Sequence, residues 1–405
     1  MGSRQNLLVA QAGGATAVIN SSLVGVVEAA RESGRFQAII GARRGIEGVL
    51  RQDFVDLGAQ PRELLQRVAR TPSAALGVTR LRLSSETTQL ALEILARYEV
   101  GAFVYIGGND SAETALRLAS AARRAGQPLQ VVVVPKTIDN DLTATDHCPG
   151  YGSIARFLAL ATRDAGLDTE ATAGLYPVKL IEVMGRNAGW VAASTALAQV
   201  TSEDAPHLIF FPERPPASLD AFLEEIASAY DRFGQVVAVV PETLRDAQGR
   251  PLGGEQAQWV DPFGHPYYPG PAPVLAQAIE RRLRLRARYD KPGTITRMFM
   301  SCASPVDWRE AYEAGAKAVA LLCEGASDVM VSLERVSDEP YEVRFGAVPL
   351  AAVANRERAL PDEFIGPDGR SVSAAFRRYA LPLVGDPFPP YARLQDLPFR
   401  RQSTT

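Results

Sequence analysis

The stretch Val131 to Leu142, reading VVVVPKTIDNDL, restricts the fold more than any other part of the chain. Four valines in a row predict a strand that is apolar on both faces. That is the pattern of a central strand in a parallel sheet covered by helices on each side. Pro135 cannot donate to a sheet ladder and ends the strand. Lys136, Thr137, Asp139, Asn140 and Asp141 follow at once, placing a cation, a hydroxyl and two carboxylates within six residues. In open α/β sheets ligands bind beyond the carboxyl ends of the strands. A loop of this composition at such an edge suits phosphoryl chemistry, which needs positioning, cations and a base.

Other strand ends carry comparable groups. Asn6 to Ala12 reads as a strand leading into Gly13-Gly14 and a helix over about 17–32, an arrangement that turns backbone N–H groups toward an anion. Ala102 to Ile106 reads as a strand that delivers Gly107, Gly108, Asn109, Asp110 and Ser111 to a helix start. Asp110 or Ser111 alone would serve as a helix cap. With Lys136 to Asp141 at the next strand end, capping alone is an insufficient account. Leu180 to Val183 leads into Met184, Gly185 and Arg186, and Val236 to Val240 into Pro241 and Glu242. The loop TPSAALGVTR ends in Arg80, whose planar fork suits phosphate. A helix over 276–288 carries five arginines, most of them expected on a solvated face. Alternation of strands and helices predicts an α/β fold of two Rossmann-like three-layer domains with mostly parallel sheets, the site lying in the cleft between them. Residues 246–273 read as a surface excursion, the chain after Tyr341 as sparse in elements, and 396–405 as a disordered tail.

The formal net charge of -3 gives no broad basic surface, so neither nucleic acid nor an anionic membrane is an expected partner. Three widely spaced cysteines and three histidines fit neither a disulfide framework nor a histidine-built metal centre. The N-terminal apolar run is interrupted by glycines too soon for a signal peptide, and no apolar run reaches membrane-spanning length, so a cytoplasmic location is expected.

Taken in order, GG at 13–14, GVTR ending at Arg80, GGNDS at 107–111, PKTIDND at 135–141, MGR at 184–186, PE at 241–242 and GTITR at 293–297 resemble the phosphofructokinase family over most of the chain. The resemblance implies that Asp139 accepts the proton of the sugar 1-hydroxyl and that Thr137 lies beside the transferred phosphoryl group. It implies that Asn109 and Asp141 sit near a magnesium ion. Met184, Gly185 and Arg186 would contact the sugar phosphate, Glu242 would hold sugar hydroxyls, and Arg288 and Arg297 would bind the 6-phosphate. Gly13, Gly14, Arg80, Gly108, Asp110, Ser111 and Lys136 would line the donor site. Residues 1–148 with about 296–328 would form the donor domain, and 149–295 with about 329–395 the sugar-phosphate domain. Family members are commonly homodimers or homotetramers, and in many of them one phosphate-binding arginine comes from a neighbouring subunit.

Within that resemblance, Asp110 and Lys136 decide the donor. ATP-using relatives have glycine at both positions, where the nucleotide passes close to the backbone. A carboxylate and a long ammonium chain there resemble the pyrophosphate-dependent branch, which implies reversible transfer from pyrophosphate to fructose 6-phosphate. An ion pair between the two side chains is the structural alternative. The sequence departs from the family at Asn109, where an aspartate is usual, at Thr294, where many members have histidine, and at Pro177, in place of an arginine. Lys179 is a candidate substitute for that arginine. These departures leave open an ATP-dependent kinase of this or a related sugar phosphate, such as sedoheptulose 7-phosphate, and a non-catalytic sugar-phosphate-binding subunit. A dinucleotide-binding oxidoreductase is disfavoured, because no G-x-G-x-x-G follows the first strand.

Overall fold

The computed structural model describes residues 5–253, 259–260, 266–267, 270–395 and 397. The chain begins β1 (Asn6–Gln11), α1 (Ile19–Ser33), β2 (Ile39–Ala42), α2 (Gly45–Arg51), β3 (Phe54–Asp56), α3 (Arg62–Ala69) and α4 (Ser85–Arg97). It continues through β4 (Val100–Gly107), α5 (Asn109–Arg124), β5 (Gln130–Pro135), α6 (Tyr151–Ala171), β6 (Val178–Val183) and α7 (Trp190–Ser194). Next come β7 (Leu208–Ile209), α8 (Leu219–Phe233), β8 (Val236–Pro241), the short pair β9 (Trp259–Val260) and β10 (Pro266–Tyr267), α9 (Pro271–Leu283) and β11 (Ala287–Asp290). The last elements are α10 (Pro305–Cys323), β12 (Val329–Asp338), β13 (Tyr341–Pro349) and α11 (Ala374–Val384).

Two main sheets result. The first has the order β13-β12-β5-β4-β1-β2-β3, and the second the order β11-β6-β8-β7. The second sheet is parallel throughout, and the first is parallel except at its outer strands β3 and β13. Successive side chains of a strand face opposite sides, and here the alternation supplies two cores per sheet. Leu7, Val9, Val104, Val132 and Val134 pack beneath α1 and α10, whereas Leu8, Ala10, Phe103, Val131 and Val133 pack beneath α4 and α5. In the second sheet, Ile181, Val183, Val237 and Val239 meet α6, α7 and α11. Val178, Leu180, Val236 and Ala238 meet α8 and α9. The α/β expectation holds, and the valine run at 131–134 is buried on both faces.

Several expected boundaries move. β12 joins the first sheet, with Val329 and Met330 opposite Val132 and Val133 of β5, and β13 pairs with it. Only the later part of 329–395, through Leu360, Ile365, Phe376 and Leu383, enters the core of the second sheet. The pattern VMVSL announces a strand but not its partner. The expected helix over 276–288 is α9, which ends when Arg284 turns left-handed at φ 61°, so Arg288 lies on a strand. The chain beyond Tyr341 is sparser in elements, as expected, with β13 and α11 as the strand and α-helix among its described residues. In the expected excursion at 246–273, α9 already starts at Pro271, and 254–258, 261–265 and 268–269 lie outside the described residues. The expected tail 396–405 lies outside them too, apart from Leu397. Among the described residues no helix is long and apolar enough to cross a membrane.

A buried polar cluster ties these layers together behind β5. His147, 2 % exposed, contacts Asp146 Oδ1 through Nδ1 and Glu310 Oε2 through Nε2, each at 2.7 Å. The Tyr341 hydroxyl donates to Glu310 Oε1 (2.6 Å), and Arg335 Nε donates to Asp146 (3.1 Å). Burial alone would push the imidazole down, but the two carboxylates outweigh it and raise His147 from 6.5 to about 9. A group whose folded pKa is raised stabilises the fold fully below its unfolded value and loses that contribution as pH rises through the folded one. The His147 contribution to stability is therefore expected to fall by about 2–3 kcal/mol between pH 6.5 and 9. Urea unfolding of the native chain and of His147→Gln at the two pH values checks this, the native chain losing that much relative to the variant. The same pH dependence in both proteins would refute it.

Candidate active site

The carboxyl ends of β1, β4 and β5 are neighbours in one sheet. That places Gly13-Gly14, Gly108 to Ser111 and Lys136 to Asp141 along one edge. Gly13 has φ 74°, and a methyl group added there would stand 2.9 Å from Lys136 Nζ. The ammonium therefore lies directly over the glycine turn. A methyl group on Gly14 would stand 2.7 Å from Arg297 Nη1, and the carbonyl of Arg297 accepts from the Ala17 N–H (2.7 Å). Arg297 thus reaches the same edge from the short helical turn Gly293–Arg297. Ser111 is buried, and Asp110 stands in the first turn of α5.

Burial and neighbouring charges set the ionisation of the loop. Lys136 is 4 % exposed. Desolvation lowers it to about 8, with Arg297 and Arg80 pushing the same way and Asp139 and Asp141 opposing. Asp139 is raised to about 6, chiefly by burial and then by Glu242, against the pull of Arg186 and Lys136. Asp141 is raised to about 7 by burial, Asp139 and Glu357. These mutual influences place Arg80, Lys136, Arg297, Asp139, Asp141, Arg186 and Glu242 in one electrostatic cluster. A carboxylate with a pKa near 6 is suited to accept a proton from an attacking hydroxyl near neutral pH.

The loop itself is held by short-range bonds. The Thr137 hydroxyl accepts from the Asp139 N–H (3.1 Å), and Thr137 bridges to Gly150 at the start of α6. Asn140 is fully buried at φ 54°. Its side chain accepts from the Cys148 N–H (3.0 Å) and donates to the Tyr379 hydroxyl (2.8 Å). Asn109 Nδ2 donates to Asp141 Oδ2 (3.2 Å), while Asn109 Oδ1 is buried without a hydrogen-bond partner.

Across from this edge, the second sheet supplies Met184 to Arg186 after β6 and Glu242 after β8. The Glu242 N–H donates to the Val183 carbonyl (2.9 Å), and the Thr243 hydroxyl donates to the Arg186 carbonyl, so these two segments are joined. Burial raises the Glu242 carboxyl, opposed by Arg186. Arg288 is not part of this group. It pairs with Lys179 in the β11–β6 register, near the start of β6, and stacks on Tyr176 at 3.6 Å. Five residues at about 3.3 Å each separate that level from Met184. Pro177 lies at the same far end, accepting from the Val236 N–H (2.8 Å). Lys179 is bound to Asp168 (3.0 Å) and Asp290 (3.2 Å), so it does not stand in for a phosphate-binding arginine in this site. Thr294 is exposed on the turn that carries Arg297.

Three residues the motifs did not flag adjoin the site. Asn187 Nδ2 donates to Glu357 (2.9 Å), and the charge of Glu357 bears on both Asp139 and Asp141. Arg358 grips the loop carbonyls. The only sequence signal was an Arg/Glu-rich stretch, Asn355 to Arg358, in a part of the chain that reads as element-poor.

Left-handed backbone costs a residue with Cβ about 1–2 kcal/mol, and at Gly13 the methyl would also meet Lys136. Gly13→Ala should therefore lower stability by that amount and displace the ammonium. Urea unfolding together with the pH titration of Lys136 checks it, and unchanged values for both would refute it.

A model of the family described as Phosphofructokinase matches residues 6–322. The chain is 39% identical over 385 residues to the pyrophosphate–fructose 6-phosphate 1-phosphotransferase of Xanthomonas campestris pv. campestris, covering 94% of this chain and 91% of that one. It is 38% identical over 396 residues to the protein of the same name from Rhodospirillum rubrum, covering 96% of each. Among solved structures, the pyrophosphate-dependent phosphofructokinase of Nitrosospira multiformis superposes with a TM-score of 0.86 at 34% identity, covering all of both chains.

Proposed function

The chain belongs to the phosphofructokinase family, and from that premise we propose that it transfers a phosphoryl group reversibly between pyrophosphate and the 1-hydroxyl of fructose 6-phosphate. The observation that carries the donor assignment is Lys136. Its buried ammonium fills the space over Gly13 and shares its field with Arg80 and Arg297. A compact, highly charged diphosphate complements that group, whereas a nucleotide would have to run its α-phosphate past it. The relatives named for the pyrophosphate reaction support the same donor.

In the forward direction the sugar 1-oxygen attacks the near phosphorus and its proton passes to Asp139. The bond to the bridging oxygen breaks, and orthophosphate leaves. Lys136, Arg80 and Arg297 stabilise the charge that develops on the transferred group and the leaving oxygen. Thr137, hydrogen-bonded to the Asp139 N–H, fixes the backbone at the base. Met184, Gly185, Arg186 and Glu242 orient the sugar phosphate. Arg297 lies over Gly14 on the donor edge, which favours the diphosphate over the 6-phosphate that the resemblance assigns to it, whereas Arg288, on β11 opposite Lys179 near the start of β6, would serve a neighbouring subunit's site in a homodimer or homotetramer.

Asn109 Oδ1, buried and without a partner beside the Asp141 carboxylate, fits an oxygen-ligated magnesium ion or its bound water. Among the described residues no cluster of three or more His, Cys, Asp or Glu forms a metal site. The remaining ligands would come from water and from the diphosphate, which is how magnesium is usually held at phosphate sites. When bound, the ion would neutralise charge on the diphosphate.

Assays with pyrophosphate and with ATP, each with fructose 6-phosphate, test the donor. Turnover is expected with pyrophosphate, and Lys136→Gly with Asp110→Gly should abolish most of it. Turnover with ATP alone in the native chain would overturn the reading. The ionisation of Lys136 gives a second check. Above about pH 8 the empty site loses the ammonium proton, so apparent affinity for pyrophosphate should weaken by up to about tenfold per pH unit. In Lys136→Arg, whose side chain stays charged, that limb should be flat. Equal slopes in the two proteins would remove Lys136 from the donor site.

A further inference from the structure

Residues Asn355 to Leu360 cross the boundary between the two sheets, and the hydrogen bonds of Arg358 reach the loop after β5 on one side and Trp190 on the other. The Arg358 guanidinium donates through Nη1 to the carbonyls of Thr145 (2.8 Å) and Asp146 (2.7 Å), and through Nη2 to that of Asn140 (2.8 Å). Its backbone N–H donates to the Asp141 carbonyl (2.7 Å). On its other side, its carbonyl accepts from Trp190 Nε1 (3.1 Å), and its guanidinium carbon lies 4.5 Å from the centre of the Trp190 ring. Trp190 begins α7, directly after Met184 to Gly189. Glu213 completes the tie by accepting from both the Gly189 N–H (2.9 Å) and the Leu360 N–H (2.7 Å).

We propose that Arg358 is a positioning residue, which fixes the backbone carbonyls from Asn140 to Asp146 and so holds Asp139 and Asp141 in working register with the acceptor-side segment that Trp190 anchors. Asn140 sits in a left-handed conformation that costs about 1 kcal/mol or more without support. Two of its supports, Tyr379 and the Cys148 N–H, act on its side chain, whereas Arg358 acts on its carbonyl and on that of the next residue. No single ammonium can span three carbonyls of one loop as the planar fork does. The inference rests on the proposed transfer reaction for its catalytic readout, but not for its structural one.

The test uses Arg358→Lys and Arg358→Ala in the full chain. For both, kcat should fall about 10- to 100-fold, the scale expected when reacting groups are misplaced by an ångström, while KM for both substrates stays within about threefold. Added guanidinium should restore part of the activity of Arg358→Ala. By hydrogen exchange, the amides of Asp139, Asp146 and Cys148 should open faster, with those of β1 and β4 unchanged. Native kcat in both variants, or native exchange at the loop, would overturn the proposal. So would accelerated exchange spread evenly over the core with no recovery by guanidinium, which would mark a merely structural arginine. If the native chain turns over with ATP rather than pyrophosphate, the donor assignment fails, and Arg358 is then read with ATP. If no donor supports turnover, the loop amides decide alone.

Discussion

The site depends on a buried asparagine in a left-handed conformation. Between Asp139 and Asp141 the chain must turn sharply after leaving β5, and Asn140 makes that turn at φ 54° with no exposure to solvent. Asparagine tolerates this region better than other residues with a Cβ because its short amide can bond locally. Here the amide closes the loop on itself through Cys148 and secures it to α11 through Tyr379, whose hydroxyl also donates to the Asp146 carbonyl (2.8 Å). A buried polar group left unpaired would cost about 1–3 kcal/mol. The loop is thus held by later chain packed against it, and the proposed acid–base group depends on residues more than 200 positions away.

The charges at the site are arranged so that each is incompletely compensated. Lys136 is depressed and Asp139 and Asp141 are raised because burial outweighs the nearby opposite charges. Such an arrangement is unfavourable for an empty fold and favourable for one that will receive a polyanion and, beside it, a cation. On the proposed reaction, the diphosphate would add negative charge beside Lys136 and the metal would add positive charge beside Asp141. The fold carries that strain because the surrounding layers are apolar and fully packed, from Val131 to Val134 on one strand to Phe103 and Val104 on the next.

Much of this was legible in the sequence. The valine run, the glycine pairs after strands and the polar clusters at strand ends are local patterns, and local patterns report which elements form and where ligands gather. Partnership between elements is not local. Nothing in VMVSL distinguishes an edge position beside β5 from a place in the second sheet, and nothing in RLRLRAR marks where α9 stops and β11 starts, because Arg284 ends the helix without a glycine. Lys179 looked like a phosphate ligand for the same reason. Its neutralisation by Asp168 and Asp290 involves residues 11 positions before and 111 after it, which come together only through the pairing of β6 with β11.

The same reasoning explains why Arg358 escaped notice while Asp139 did not. A carboxylate proposed to act on substrate must sit where substrate arrives, at a strand end, and strand ends are readable. A residue that acts through backbone carbonyls is free to come from any part of the chain that passes behind the loop, and its target has no side-chain signature. Arg358 donates to carbonyls of Asn140, Thr145 and Asp146 that any sequence would present. What singles it out is geometry alone. A planar cation lies between a turn that must stay left-handed and an indole that begins the helix after the acceptor segment. With the carbonyls held on one side and Trp190 on the other, the two halves of the site cannot shift relative to each other without breaking several hydrogen bonds together. On the proposed role of Arg358, that cooperativity, rather than any single bond, would keep Asp139 in register with Arg186 and Glu242.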